Sequence, residues 1–153
     1  MSLRELASRS KSVGKGGRGH KGRILTIKEI RRIRKRGYNA ERQLVKKLRA
    51  MGFKSLRVPV SAPSKEPLPD VFAVKGRSLI AFEVKALAAE RVYFRRDQVE
   101  KLLKFLEMFE LYENKVAVLV GKFPYKWVFK QVGKVADYVI RSDERSNIRL
   151  DRI

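Results

Sequence analysis

The sequence predicts an α/β domain built around one mixed β-sheet flanked by helices. Three observations carry that reading. Apolar residues recur at helical spacing in residues 39–51 (Ala40, Leu44, Leu48, Met51) and again in residues 97–111 (Val99, Leu102, Leu103, Leu106). Short runs rich in β-branched and aromatic residues lie between and after them, at 53–60, 71–74, 78–85, 115–120 and 126–132, with 135–140 as a further candidate. The order helix, strands, helix, strands is what layers around a single sheet produce. With 153 residues, 44% of them hydrophobic, the chain is long enough for one domain with a substantial core.

The front of the chain is different in kind. Residues 1–36 hold 13 Lys and Arg against 2 acids, about half of a total net charge of +21. Within them residues 10–23 contain one apolar side chain and cannot offset the entropy of ordering, so a mobile basic arm is expected. Thr26 and Glu29 then form a capping-box pattern that opens a short helix over 27–36, with Ile27, Ile30 and Ile33 on one side and bases on the other. That helix either docks on the domain with a solvated face or binds phosphates. Gly37 is expected to end it, and Gly52 to end the next one. The division is therefore an arm and short helix at 1–35, a central domain at 36–141 and a polar tail at 142–153.

Prolines at 63, 67 and 69 exclude regular structure from residues 61–69. A hairpin follows, turning on Gly76-Arg77 as a type II′ loop with glycine first. Lys75 then pairs with Ser78, and counting back along both strands sets Asp70 opposite Glu83. Further on, Asp97 and Glu100 read as the cap of the third helix, which runs to about Leu111.

Composition narrows the chemistry. The charge favours a polyanionic partner, nucleic acid ahead of an anionic membrane or an acidic protein. No run of about 18 apolar residues exists to span a membrane, and the N-terminus lacks the apolar stretch of a signal peptide, so an intracellular, cytoplasmic protein is expected. Without cysteine, disulfides and thiolate zinc sites are excluded. The single histidine, His20, lies in the basic arm without a partner for nucleophilic chemistry. Any hydrolysis must use carboxylates and a hard cation.

Carboxylates stand where that chemistry needs them. In the second hairpin strand Ala81, Glu83 and Lys85 share one face and Ile80, Phe82 and Val84 the other, which puts Glu83 and Lys85 about 7 Å apart. The cross-strand neighbour Asp70 would have its Cβ roughly 5 Å from that of Glu83. Two carboxylates so close repel unless one is protonated or a cation joins them. Mg²⁺ suits two carboxylates with waters and phosphate oxygens, and the Val84 carbonyl can add a ligand. Spacing alone leaves a second reading open, with Asp70 a turn residue and Glu83–Lys85 an exposed ion pair. Glu41, inside the helical stripe with Leu44, Val45 and Leu48, is a third acid directed at the sheet, either as a salt-bridge partner or as a further ligand.

Five blocks in order, "RGYNAERQLVKKLRAMGF", "RVPVSAPSKEPLPDVFAV", "IAFEVKA", "VYFRRDQVEKLLKFLEMF" and "KWVF", resemble the archaeal Holliday-junction resolvases of the PD-(D/E)XK nuclease superfamily. The pattern is Pro69-Asp70…Glu83-Val84-Lys85, and the likeness spans residues 36–129. It implies a restriction-endonuclease-like fold and a homodimeric endonuclease that uses Mg²⁺, with Mn²⁺ as a substitute, to cut two opposed strands of four-way junction DNA. By position it implies Glu41, Asp70, Glu83 and Lys85 as the essential site and Arg57 as a DNA contact. Ser61 or Ser64 falls in a loop before the metal aspartate, and Tyr93, Arg95 and Arg96 match a Y-x-R-R stretch. Arg36 stands where the family commonly has lysine, a change of phosphate geometry at constant charge. An association with the nucleoid follows from such a substrate.

Phe105 and Phe109 sit one helical turn apart, offset from the stripe that the sheet should cover, and are read as a subunit interface or as additional core. Two function classes stay open on residues alone: a junction-cutting nuclease, or one of related structure preference, and a non-catalytic nucleic-acid binder. A pure binder has no need of three acids at one site.

Overall fold

The computed structural model describes residues 23–59 and 65–153. Thr26 opens helix α1 (Ile27–Ala50) through the expected capping box, its hydroxyl accepting from the Glu29 N–H at 3.2 Å while Glu29 accepts from the Thr26 N–H at 2.8 Å. The helix does not stop at Gly37 but runs unbroken for 24 residues. An interior glycine costs about 1 kcal/mol, too little to break a helix flanked by Arg34–Arg36 on one side and anchored by buried Ala40, Leu44 and Leu48 on the other. Gly52 does end it, with φ of +87°.

The sheet is mixed, as expected. Strands β1 (Lys54–Arg57), β2 (Val71–Lys75), β3 (Ser78–Ala86), β5 (Asn114–Phe123) and β6 (Lys126–Val132) lie in the order β1-β2-β3-β5-β6. Only β3 and β5 are parallel. Gly76 has φ of +56° while no non-glycine residue among those described has positive φ, and Lys75 faces Ser78, so the turn and register are those the sequence implies.

Two further elements differ from expectation. Residues 91–94 form a short strand, β4 (Arg91–Phe94), which pairs with β7 (Tyr138–Arg141) in a separate two-stranded sheet. Helix α2 (Arg96–Glu107) starts and ends earlier than the Asp97–Leu111 span, and Arg95 is its N-cap. Asp97 instead lies in the first turn, where a carboxylate favours the helix dipole, and Glu100 pairs with Lys104 at 3.2 Å.

The main sheet is covered on both faces. Ile80, Phe82 and Val84 of β3 pack with Ala40, Leu44 and Leu48 of α1, while Leu79 and Ala81 pack with Val99, Leu102 and Phe105 of α2 and with Val92, Phe94 and Ile140 of the small sheet. From the C-terminal segment Leu150 is buried against the α1 side, and Ile148 and Ile153 pack beside it. Asn147 accepts from the Gln131 N–H at 2.7 Å and so fastens that segment to β6.

The small sheet can close on β5 because Gly121 has no side chain. A Cβ there would stand 3.1 Å from Phe123 and 3.2 Å from both Val92 and Ile140. Gly121→Ala should therefore cost about 1–3 kcal/mol as overpacking, read as a fall of roughly 2–10 °C in the thermal midpoint. An unchanged midpoint would mean the two sheets part without cost.

Candidate active site

Asp70 sits where β2 begins. Its N–H donates to the Phe82 carbonyl at 3.0 Å, and Phe82 is also the residue that faces Val71 in the ladder. Two residues thus oppose one, the arrangement of a β-bulge, which re-aims a side chain where the ladder ends. Direct opposition of Asp70 to Glu83 is not kept. The Asp70 side chain takes over where its backbone leaves the ladder, with Oδ2 accepting from the Val84 N–H at 2.8 Å. In an antiparallel ladder the N–H and C=O of one residue serve the same neighbour, so the Val84 carbonyl is directed to this gap as well.

Glu83 and Lys85 lie on the β3 face that meets α2, by the alternation that puts Ile80, Phe82 and Val84 on the other. Gln98 Nε2 donates to Glu83 Oε1 at 3.2 Å. The Lys85 ammonium donates to the Tyr93 carbonyl of β4 and stands 5.2 Å from the centre of the Phe94 ring. The unforeseen strand β4 is thus what holds the lysine.

Glu41 reaches the site from α1, on the opposite side of the sheet, and is buried. The three acids therefore wrap around the sheet at the Asp70 bulge rather than sharing one face. Among the described residues no three Asp, Glu or His side chains converge on one point. Glu41 accepts a hydrogen bond from Arg57 Nε, and the Arg57 guanidinium lies over the Tyr38 ring at 4.5 Å. Arg57, expected to meet DNA, is engaged within the chain.

The electrostatics are those of acids held against their preference. Burial pushes Asp70 up, opposed by the Val84 N–H and the Lys85 and Arg57 charges. Burial and the neighbouring Asp70 push Glu83 well above the usual carboxylate range, with Lys85 opposing. Glu41 rises from 4.5 to about 7, chiefly through burial and then through Asp70, despite its bond to Arg57. Asp70 and Glu83 each keep some surface open to solvent.

Ser61, Ser64 and the basic arm before Arg23 lie outside the described residues. Tyr93 and Arg96 are exposed and Arg95 half-buried, all beside the Lys85 anchor. Arg36 lines a concavity of about 300 Å³ with Arg32, Lys35, Asn39, Gln43 and Lys122. Lys122 pairs with Ala86, one residue past Lys85 but on the face of β3 that α1 covers. Phe105 is not an exposed interface residue: it is 5% exposed, its ring 5.5 Å from Phe72 of the sheet. Phe109 is half-buried, 5.0 Å from Phe105.

Sequence reasoning missed Gln98 and Tyr38. Gln98 lay hidden behind the misplaced cap, since only a start at Arg95 makes it the third helical residue. Tyr38 follows the glycine that was expected to end the helix.

A family model described as archaeal Holliday junction resolvase matches residues 32–152. Crossover junction endodeoxyribonuclease Hje of Saccharolobus solfataricus is 38% identical over 107 residues, 70% of this chain and 79% of that protein. The endonuclease of the same designation from Sulfolobus acidocaldarius is 36% identical over 107 residues, 70% of this chain and 77% of that one. Among solved structures, the Holliday junction resolvase Hjc of the hyperthermophile Archaeoglobus fulgidus is similar with a TM-score of 0.59 and 30% identity, covering 69% of this chain and 88% of that one.

Proposed function

Because this chain belongs to the archaeal Holliday junction resolvase family, we propose that it cuts four-way DNA junctions by metal-dependent phosphodiester hydrolysis, as a homodimer that makes paired cuts in two opposed strands. The observation that carries the chemistry is the Asp70–Glu83–Lys85 arrangement. Two carboxylates whose burial and mutual repulsion oppose ionisation stand at the end of two strands, with an ammonium beside them.

The donor set fits a hard divalent cation. Mg²⁺ takes one or two carboxylates and completes its octahedron with water and substrate oxygens. Asp70, Glu83 and the Val84 carbonyl would hold it, and Mn²⁺ accepts the same ligands. Glu41, engaged by Arg57, would reach the ion through one of its waters. When bound, the ion activates water and stabilises charge on the phosphate. The chain's own residues do the rest. Lys85, fixed by the Tyr93 carbonyl, sets a positive charge beside the acids where the scissile phosphate would carry its developing charge. Arg36, Arg95 and Arg96 are the phosphate contacts in this reading, and such contacts position the junction without reading its sequence. Among the described residues no helix is long and apolar enough to cross a membrane.

The test is cutting of labelled four-way junction, flap, nicked and linear DNAs, with Mg²⁺ and with chelator. Paired cuts in the junction that need Mg²⁺ are expected. Tight junction binding without cutting at any metal concentration would make the protein a binder. Faster cutting of flaps or linear duplex would make it a nuclease of another structure preference.

A further inference from the structure

Gln98 holds two bonds that answer different needs. Its Oε1 accepts from the Arg95 N–H at 3.0 Å, satisfying one of the orphan donors at the start of α2. A carboxamide has one accepting end and one donating end, so that bond fixes which way the group faces. Its Nε2 is left to point at Glu83, and it donates to Oε1 at 3.2 Å. The cap explains the first bond and is indifferent to the second.

The start of α2 is itself firmly held. Asp137 Oδ1, from the segment before β7, accepts from the Arg96 N–H at 2.7 Å. Val99 and Leu102, on the following turns, are fully buried against the sheet. The donor therefore stands on a rigid element at a fixed distance from β3. The terminal torsion of a glutamate is broad, so an untethered carboxylate samples many orientations, and the bond from Gln98 holds one Glu83 oxygen in place.

We propose that Gln98 is a positioning residue for strand cutting: it ties one oxygen of Glu83 and so keeps that carboxylate oriented toward the cation shared with Asp70. The inference rests on the metal-site reading above and adds to it a residue that acts through Glu83 without touching DNA or metal. Hydrogen-bond partners of metal ligands typically change metal affinity or activity about 10–100-fold when removed.

The test uses the full chain and reads binding as well as cutting. Mn²⁺ is titrated in the absence of DNA and followed by the loss of its free-ion electron paramagnetic resonance signal. Half-saturating Mg²⁺ for junction cutting and junction affinity in chelator are measured alongside. Gln98→Leu should bind Mn²⁺ about tenfold or more weakly and raise half-saturating Mg²⁺ in step. Its cutting should be largely rescued at high Mg²⁺, with junction affinity unchanged. Gln98→Ala, at a half-buried helical position, repeats the measurement should leucine disturb folding. Asp137→Ala loosens the same helix start without touching Glu83, and should melt earlier while binding Mn²⁺ as the unmodified chain does. Unaltered Mn²⁺ binding in Gln98→Leu, or equal weakening in Asp137→Ala, would overturn the proposal. An unmodified chain that binds no Mn²⁺ would overturn the metal-site reading itself, and this inference with it.

Discussion

Asp70→Asn and Glu83→Gln should each lower junction cutting by about a hundredfold to a thousandfold, the effect of removing one preorganised charge at a reacting centre. Junction affinity in chelator should be unchanged or slightly tighter, because each substitution removes a negative charge that repels the DNA phosphates. Lys85→Ala should follow them in rate, its ammonium acting where charge develops. The measurement is single-turnover cutting of a labelled junction beside a binding titration on the same preparation. If either carboxamide cuts at near the unmodified rate with Mg²⁺, the metal-site assignment fails. Equal loss of binding and cutting in Lys85→Ala would make it an ordinary phosphate contact.

The two carboxamide substitutions should stabilise the metal-free fold. Glu41 rises from 4.5 to about 7, and burial carries Asp70 and Glu83 upward too. An acid with a raised folded-state pKa contributes stability that is complete below its unfolded value and lost as pH rises through the folded one. For Glu41 that window runs from about pH 4.5 to about 7; Glu83, pushed well above its ordinary value, loses its contribution as pH rises through its own raised pKa. The metal-free protein should thus melt earlier at pH 8 than at pH 5. Glu83→Gln should melt later than the unmodified chain at pH 8, and the gap should narrow as pH falls. A site that repels its own charges without a cation is the stability that activity gives up.

What could be read in advance follows from how local each rule is. The Thr26–Glu29 box and the Gly76 turn are set by residues three or two apart, and both stand as the sequence implies. The turn fixes the hairpin register, and alternation then places Glu83 and Lys85 on one face. What failed depends on contacts far along the chain. Strand β4 is four residues long and is a strand only because β7, more than forty residues on, pairs with it. The bulge at Asp70 adds one residue to one side, which counting along a hairpin cannot detect. Glu41 was correctly directed at the sheet, but only the layering of α1 and α2 shows that its face is opposite to that of Glu83.

Phe105 and its neighbours separate core from interface. Phe105→Ala should cost about 3–5 kcal/mol, since the ring is 5% exposed and packed against Phe72 within the chain. Beyond it, at the end of α2, apolar surface is left open: Met108 is 60% exposed and Leu111 97%, beside half-buried Phe109 and Tyr112. A four-way junction has two-fold symmetry, and paired cuts need two sites related by a matching axis, which an isologous dimer supplies. If a second copy of this chain covers that surface, Met108→Asp with Leu111→Asp should halve the mass in solution by light scattering. The fold should be spared, because substitutions on an exposed surface usually stay within about 0.5 kcal/mol. The resulting monomer should still hydrolyse phosphodiesters, since Glu41, Asp70, Glu83 and Lys85 are unaltered, but it should release nicked junctions in place of resolved duplexes. A double variant that remains dimeric and still makes paired cuts would move the interface elsewhere on the chain. A Phe105→Ala protein that becomes monomeric with its thermal midpoint unchanged would return that ring to the interface.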